Sequence, residues 1–450
     1  MRRPFYAVAA LAAAFLIAAT SASAADYAPG QVIVKYRHGA PRVVRAVVQR
    51  RTHMTFVAKL PAGARALRVR GDRSVPEAIA ALRKHPNVEY AVPDYIAHAA
   101  QYIPNDPGLA ATEGGWQSTQ WDMTGPFSVN APAAWEEAIA AGAPGGSGAI
   151  VAVLDTGVAY ENYHHFRKAP DLHGGRFIRP YDFVDNDRHA NDENGHGTHV
   201  TMTIAEATNN GIALTGLAYG VKIMPLRVLD SEGAGDAIAI SRAIRYAAKN
   251  GAQVINMSLE FDTSVTASQI PEIVSAVRYA HRKNVVMVAA SGNEADNAVA
   301  YPARTTHVIS VGATTEHGCQ ADYSNGGSGL KLVAPGGGSD APNNDNPADQ
   351  TNCHPGVDER PIFQQTFSRD GSVRSFALRG EEYEGTSMAS PHVAASAALL
   401  IASKRLGAHP SANAVEQRLE HTAYDLGPVG YDPRYGYGEV QPAAALGPTP

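Results

Sequence analysis

From Gly148 onward the apolar residues fall in short unbroken runs: AIVAVLD (149–155), KIMPLRVLD (222–230), AQVINMSLE (252–260), VVMVAASGNE (285–294) and HVISVGATT (307–315). A strand with one face in water alternates apolar and polar residues, so runs that do not alternate predict strands buried on both faces, as in a parallel sheet covered by helices on either side. Helices are legible between them: DAIAISRAIRYAAKN (236–250) and EIVSAVRYAHRKN (272–284) place apolar residues three and four apart. The expected architecture is α/β, with reacting groups at the carboxyl ends of the strands, where Asp155 closes the first run.

Residues 27–100 follow another pattern. GQVIVKYR (30–37) alternates like a half-exposed strand, SVPEAIAALRKH (74–85) reads as a helix and NVEYAVPD (87–94) as a further strand, together a small α+β domain. Ser74 and Glu77 have the S-x-x-E spacing of a capping box, and Pro76 falls near the first turn, where a missing N–H costs nothing. QYIPNDPG (101–108), with two prolines and a glycine, predicts a linker. Residues 336–382, rich in Asn, Asp, Pro and Gly, predict a long surface excursion.

The 450 residues, 44% hydrophobic and 18% charged, suffice for two or three domains. No internal apolar run approaches the roughly 20 residues that cross a bilayer. At the N-terminus Arg2 and Arg3 precede an apolar run from Phe5 to Ala19 and then Ala22-Ser23-Ala24, the layout of a signal peptide over residues 1–24. Export is therefore expected, with no membrane partner once that segment is removed. The domains then read as 25–100 and 101–450, with a junction at about 98–104.

The overall charge of −5 conceals a division: residues 26–100 hold 13 Lys and Arg against 5 Asp and Glu, whereas beyond residue 100 there are 23 basic and 38 acidic residues, a net of −15. Two cysteines remain, Cys319 and Cys353. In an exported chain their simplest state is one disulfide, with two buried thiols as the alternative, and zinc lacks a second cysteine pair.

IVAVLDTGVA (150–159) contains Asp-Thr-Gly, the aspartic-protease tripeptide, but that chemistry needs two carboxylates sharing a proton and the chain has no second copy. Two other stretches supply different partners. NGHGTHV places His196 between glycines before a helical pattern, and EGTSMASPHVAASAALL places Ser387 at the start of an Ala- and Leu-rich helix. A serine hydroxyl attacks only when an imidazole takes its proton, and the imidazole needs a carboxylate to fix its tautomer and stabilise its charged form. Taken singly, each residue has a plainer explanation, as a cap or a loop residue. Their joint presence, in the order Asp, His, Ser, points to catalysis.

The stretches AVLDTGV, GHGTHV and GTSMASPHVA resemble those of the subtilisin family of serine proteases, over roughly residues 105–445. The resemblance implies a subtilisin-like parallel sheet flanked by helices behind a small α+β propeptide domain. It implies Asp155 as orienting carboxylate, His196 as general base and acid, Ser387 as nucleophile and Asn293 as the side-chain donor of the oxyanion hole. Ser258, Leu259, Glu260, Ser291 and Gly292 would border the substrate. The expected protein is a secreted, self-processing, monomeric endopeptidase. Its partners would be protein or peptide substrates and its own propeptide, acting as chaperone and inhibitor, and no nucleic acid.

Three positions depart from the family pattern: Glu260 and Met202 stand where glycine is usual, and Glu384 where serine is. The rivals are a silent peptide-binding pseudoprotease and a sedolisin-type acid peptidase, which would want a carboxylate at His196.

The resemblance also implies structural Ca²⁺. YDFVDNDRHANDENGHGTH presents Asp182, Asp185 and Asp187, and matches a family calcium loop at Asp182 and Asp187, with Asn191 and the carbonyl of His189 as further ligands. A solvated acidic loop is the alternative. ATNNGIALTG resembles a second calcium loop through Asn209 or Asn210 and backbone carbonyls. His164-His165, without further ligand spacing, reads as a solvated loop.

Overall fold

A computed structural model describes residues 27–71, 73–95, 102–109, 114–341, 353–357, 360–368 and 372–447. The expected signal peptide, most of the expected propeptide junction and part of the excursion lie outside these residues. The chain divides into two compact units, one up to Ala100 and one from Gln101.

In the first unit, β1 (Tyr27–Tyr36), a helix (Arg42–Arg51), β2 (Met54–Lys59), β3 (Ala64–Val69), a helix (Val75–Arg83) and β4 (Val88–Tyr95) form a sheet of order β2-β3-β1-β4. β1 pairs antiparallel with both β3 and β4. Its alternation buries Val32, Val34 and Tyr36. The capping box forms at Ser74, whose hydroxyl takes the Glu77 N–H at 3.4 Å while the Glu77 carboxylate takes the Ser74 N–H at 2.9 Å. The helix 42–51 and the strands β2 and β3 have no counterpart in the sequence reading. That helix, RVVRAVVQRR, is made of arginine and β-branched valine and buries only Val48, so its apolar spacing carries little signal.

The second unit is built on seven parallel strands: β5 (Ile150–Asp155), β6 (Tyr181–Asp182), β7 (Lys222–Arg227), β8 (Val254–Met257), β9 (Val286–Ala290), β10 (Val308–Thr314) and β11 (Leu332–Pro335). Their order is β11-β10-β9-β8-β5-β7-β6. Val151 and Val153 of β5 enter one core with the helix Thr386–Ser403, while Ala152 and Leu154 enter the other with the helices Ala237–Lys249 and Pro271–Arg282. Burial on both faces is why these runs do not alternate. β5 has β7 on one side and β8 on the other, so connections leave it in opposite directions and open a crevice at its carboxyl end.

Residues 102–109, expected as a linker, pack on this unit instead: Tyr102 meets Trp135 edge-on at 5.9 Å and Pro104 O accepts from Trp116 Nε1 at 3.0 Å. Within the excursion, β12 (Gln364–Phe367) and β13 (Phe376–Arg379) make an antiparallel hairpin. Its Phe367 and Phe376 join Met202 in a small core beside the helix His196–Ala205. The large side chain at 202 and the extra hairpin thus fill one space together. Cys319 and Cys353 are joined, with Cα atoms 5.8 Å apart. Among the described residues no helix is long and apolar enough to cross a membrane.

Candidate active site

Asp155 ends β5 fully buried; its Oδ1 accepts the Thr156 N–H at 2.8 Å and faces His196 Nδ1 at 2.7 Å. His196 opens its helix, and Asp192 fixes the approach: one oxygen takes the Thr156 hydroxyl and the N–H groups of Asn194 and Gly195, the other takes the N–H and hydroxyl of Thr198. Close approach of helix and strand end requires glycine at 197, where an added Cβ would stand 2.2 Å from Gly157 O. Burial alone would lower the His196 pKa, but the charge of Asp155 and the hydrogen bond to it prevail and hold it above the ordinary imidazole value.

Ser387 is the second residue of the helix Thr386–Ser403. Pro391 lies inside that helix and has no N–H for the carbonyl four residues back, so Ser387 O is left open. The Ser258 hydroxyl donates to it at 2.7 Å, and Asn256 and Ser390 continue the buried network at 3.0 and 2.9 Å. A helix-breaking residue is in this way turned into a tie between the serine and the substrate-side strand. Ser387 Oγ donates to Ser258 O at 3.4 Å, and among the described residues no hydrogen bond joins it to the His196 ring. Such bonds are often long or unmade before substrate binds. Both side chains line one cleft of about 490 Å³, with Ser258, Leu259 and Glu260.

Asn293 follows β9. Its Oδ1 accepts from Thr386 N at 2.8 Å and Thr386 Oγ1 at 3.0 Å, which leaves Nδ2 as the free end, 3.3 Å from Glu260 Oε1. Thr386 also receives the Gly292 N–H at 3.2 Å, and Ser291 Oγ donates to Asn325 O at 2.9 Å. Glu260 is pushed up to about 7 by burial and by the charge of Glu294. The structure therefore brings together Asp155, His196, Ser387, Asn293 and the five expected substrate-side residues. Sequence reasoning missed Thr156, Asp192, Asn256, Ser390 and Thr386, although Thr156, Thr386 and Ser390 lie inside the motifs AVLDTGV and GTSMASPHVA.

The two calcium expectations fare differently. On the first loop most of the named oxygens are already engaged, although Asn191 Oδ1 is buried without a partner. Arg227 Nη1 lies 2.9 Å from both Asp182 Oδ2 and Asp185 Oδ2, and its Nη2 lies 2.5 Å from Glu193 Oε2. Asp182 Oδ1 takes two backbone N–H groups, Asp187 Oδ1 takes the His189 N–H, and the His189 carbonyl takes the Asn191 N–H at 2.7 Å. The guanidinium supplies the positive charge at Asp182 and Asp185, so those two carboxylates do not fit a calcium cage.

On the second loop the side-chain oxygens of Asn209 and Asn210 are used by the Asn105 and Ile212 N–H groups, and Asn210 turns its nitrogen to Asp171 at 2.6 Å. Beside this loop stands a different set of oxygens, on buried carboxylates. Asp106 accepts the N–H groups of Asn209, Asn210 and Gly211, while Asp171 and Glu206 are buried with their carboxyl groups against one another and beside the Leu214 backbone. Burial, partly offset by the Asn210 hydrogen bond, pushes Asp171 up to about 6; burial and the charge of Asp171 push Glu206 well above the usual carboxylate range. Carboxylate oxygens are the hard donors that Ca²⁺ requires. Residues so far apart in the chain carried no signal for this. His164 and His165 are exposed.

A family profile described as the subtilase family, Peptidase S8, matches residues 146–438, and the fervidolysin N-terminal prodomain matches residues 14–94. The chain is 34% identical over 413 residues to the thermophilic serine proteinase of Bacillus sp. strain AK1, covering 91% of this chain and 86% of that protein. It is 33% identical over 329 residues to the thermitase of Thermoactinomyces vulgaris, covering 73% of this chain and 94% of that one. Among solved structures, a protease from Pseudoalteromonas arctica PAMC 21717 superposes with a TM-score of 0.60 at 29% identity, covering 77% of this chain and 99% of that chain.

Proposed function

Because the chain belongs to the subtilase family, and is a subtilisin-like serine endopeptidase made as a zymogen, we propose that Ser387 is its nucleophile, His196 its general base and acid, and Asp155 the carboxylate that orients the imidazole. The observation that carries this reading is the 2.7 Å His196–Asp155 bond at the edge of the cleft that also holds Ser387.

With Asp155 holding the proton on Nδ1, Nε2 of His196 is free to take the Ser387 hydroxyl proton as Oγ attacks the scissile carbonyl carbon. The carbonyl oxygen becomes an oxyanion between Asn293 Nδ2 and the backbone N–H of Ser387, which falls in the first helical turn, where amides lack an intrahelical acceptor. Collapse breaks the C–N bond, and the imidazolium gives its proton to the leaving amine. Water then repeats the sequence on the acyl-enzyme and regenerates Ser387. Residues 25–100 act as intramolecular chaperone and inhibitor, and their net positive charge complements the acidic remainder. The protein is exported, acts as a monomer on protein or peptide substrates, and binds Ca²⁺ through Asp106, Asp171 and Glu206, where the ion would neutralise the buried charges and brace the loop.

Expression of wild type and Ser387→Ala tests the assignment. A fluorophosphonate should label Ser387 of the wild type, and the variant should lose about 10⁴–10⁶-fold in kcat and remain unprocessed. A purified alanine variant that still matured itself would show that another group is the nucleophile.

A further inference from the structure

We propose that Glu260 and Glu294 select substrates with a positively charged side chain, lysine or arginine, beside the scissile bond. This rests on the reading of Ser387 as the reacting group and names the substrate class of that same cleft.

β8 and β9 are adjacent parallel strands, with Met257 paired to Ala289, so the segments leaving their carboxyl ends run side by side into the crevice. Glu260 rides on the first segment and borders the cleft with Ser387. Glu294 rides on the second, one residue past Asn293. Gly292 lies between them without a side chain. A Cβ placed there would stand 2.1 Å from Asn325 Nδ2, 2.7 Å from Glu260 Oε2 and 2.8 Å from Glu294 Oε2, so both carboxylates converge on this glycine beside the Asn325 amide.

Their present partners are neutral and incomplete. Glu260 Oε1 takes a 3.3 Å bond from Asn293 Nδ2, the Asn293 backbone N–H also faces the carboxylate, and Glu260 Oε2 is buried with no hydrogen bond of its own. Glu294 Oε2 takes an N–H from Asn325 Nδ2, and its backbone N–H goes to Asn325 Oδ1 at 3.0 Å. Among the described residues no Lys, Arg or His pairs with either carboxylate. By contrast, Arg227 is surrounded by Asp182, Asp185 and Glu193 elsewhere in the same unit. Two carboxylates held close without a cation repel one another and leave acceptor positions empty. A guanidinium or ammonium entering with the substrate would neutralise the repulsion and satisfy the orphaned oxygen, and a planar guanidinium can reach both groups at once. A neutral side chain of the same shape would leave that oxygen unpaired, the situation in which polar sites discriminate most strongly.

The test uses the mature enzyme and chromogenic peptides that differ only in arginine or its uncharged isostere citrulline at the residue donating the scissile carbonyl. At pH 8.5 the wild type should favour arginine in kcat/KM by roughly 10- to 100-fold. Glu260→Gln should bring the ratio close to one, and Glu294→Gln should lower it part of the way. Calorimetry with benzamidine, an arginine-like cation that needs no turnover, should show binding to wild type and about tenfold weaker binding to Glu260→Gln. A wild-type ratio near one, or benzamidine affinity indifferent to both substitutions, would overturn the proposal and leave Glu260 with only its contact to Asn293. Fluorophosphonate labelling separates the two readings: Ser387 labelled with no discrimination defeats this inference alone, whereas an unlabelled serine defeats the nucleophile assignment while the benzamidine result still decides the cation site.

Discussion

Gly197→Ala probes how closely the helix bearing His196 must approach the end of β5. The added methyl carbon would stand 2.2 Å from Gly157 O and 3.0 Å from both the Cβ and Oδ1 of Asp155. Ordinary contacts of this kind begin at 3.4 Å, so the carbonyl must move away from the helix by about an ångström. It cannot retreat freely, because Gly157 has φ 108° and its loop is tied through Thr156 to Asp192. The displacement falls on the 2.7 Å bond between His196 and Asp155, since one partner lies on each side of the clash. An ångström of misplacement in a reacting constellation costs about 10²-fold in rate, and overpacking a closed site costs about 1–3 kcal/mol. We therefore expect kcat/KM to fall about a hundredfold per active site, counted by fluorophosphonate titration, and the melting temperature to drop by several degrees. Gly175→Ala, where nothing lies within 4 Å of the new methyl, is the control and should be silent. If Gly197→Ala kept kcat/KM within about threefold of wild type, the inferred dependence on this approach distance would be wrong.

Three further outcomes follow from named contacts. His196 must be neutral to accept the Ser387 proton and Asp155 stabilises its charged form, so kcat/KM should rise with pH through a midpoint above the ordinary imidazole value of about 6.5; in Asp155→Asn only the smaller effect of the Asp192 charge opposes burial, the midpoint should move down and the rate should fall about 10⁴-fold. A pH–rate profile unmoved by that substitution would remove Asp155 from the account. His392 bonds Met388 O at 2.9 Å and Asp122 Oδ2 at 3.0 Å in a fully buried setting, so Asp122→Ala should destabilise by about 3–5 kcal/mol through an unpaired buried group; an unchanged melting temperature would contradict this. Chelation by EGTA should lower thermal stability, by about 4 kcal/mol if the ion had stood a thousandfold above its Kd. Asp171→Asn should abolish the chelator response and Asp182→Asn should leave it intact, and the reverse pattern in the melting curves would return the ion to the first loop.

What the sequence determined by itself was whatever a few consecutive residues encode. Five of the seven parallel strands, both helices of one sheet face and the Ser74–Glu77 capping box were legible, because periodicity and capping act within one or two turns of chain. The residues proposed to react stand in motifs whose glycines and small residues are dictated by close approach. The helix 42–51 was not, since it makes few core contacts and its composition favours no one state. Nor could the sequence decide which charges meet. Asp182 and Asp185 looked like cation ligands until Arg227, some forty residues on, proved to be their partner. Asp106, Asp171 and Glu206 carried no mark in the sequence, and only the fold buried them. Glu260 was visible as a departure at the expected substrate border; the fold set Glu294 opposite it across Gly292. Local conformation is governed by neighbours in sequence, whereas the strength of an electrostatic interaction depends on distance and on exclusion of water, and both are properties of the folded chain alone.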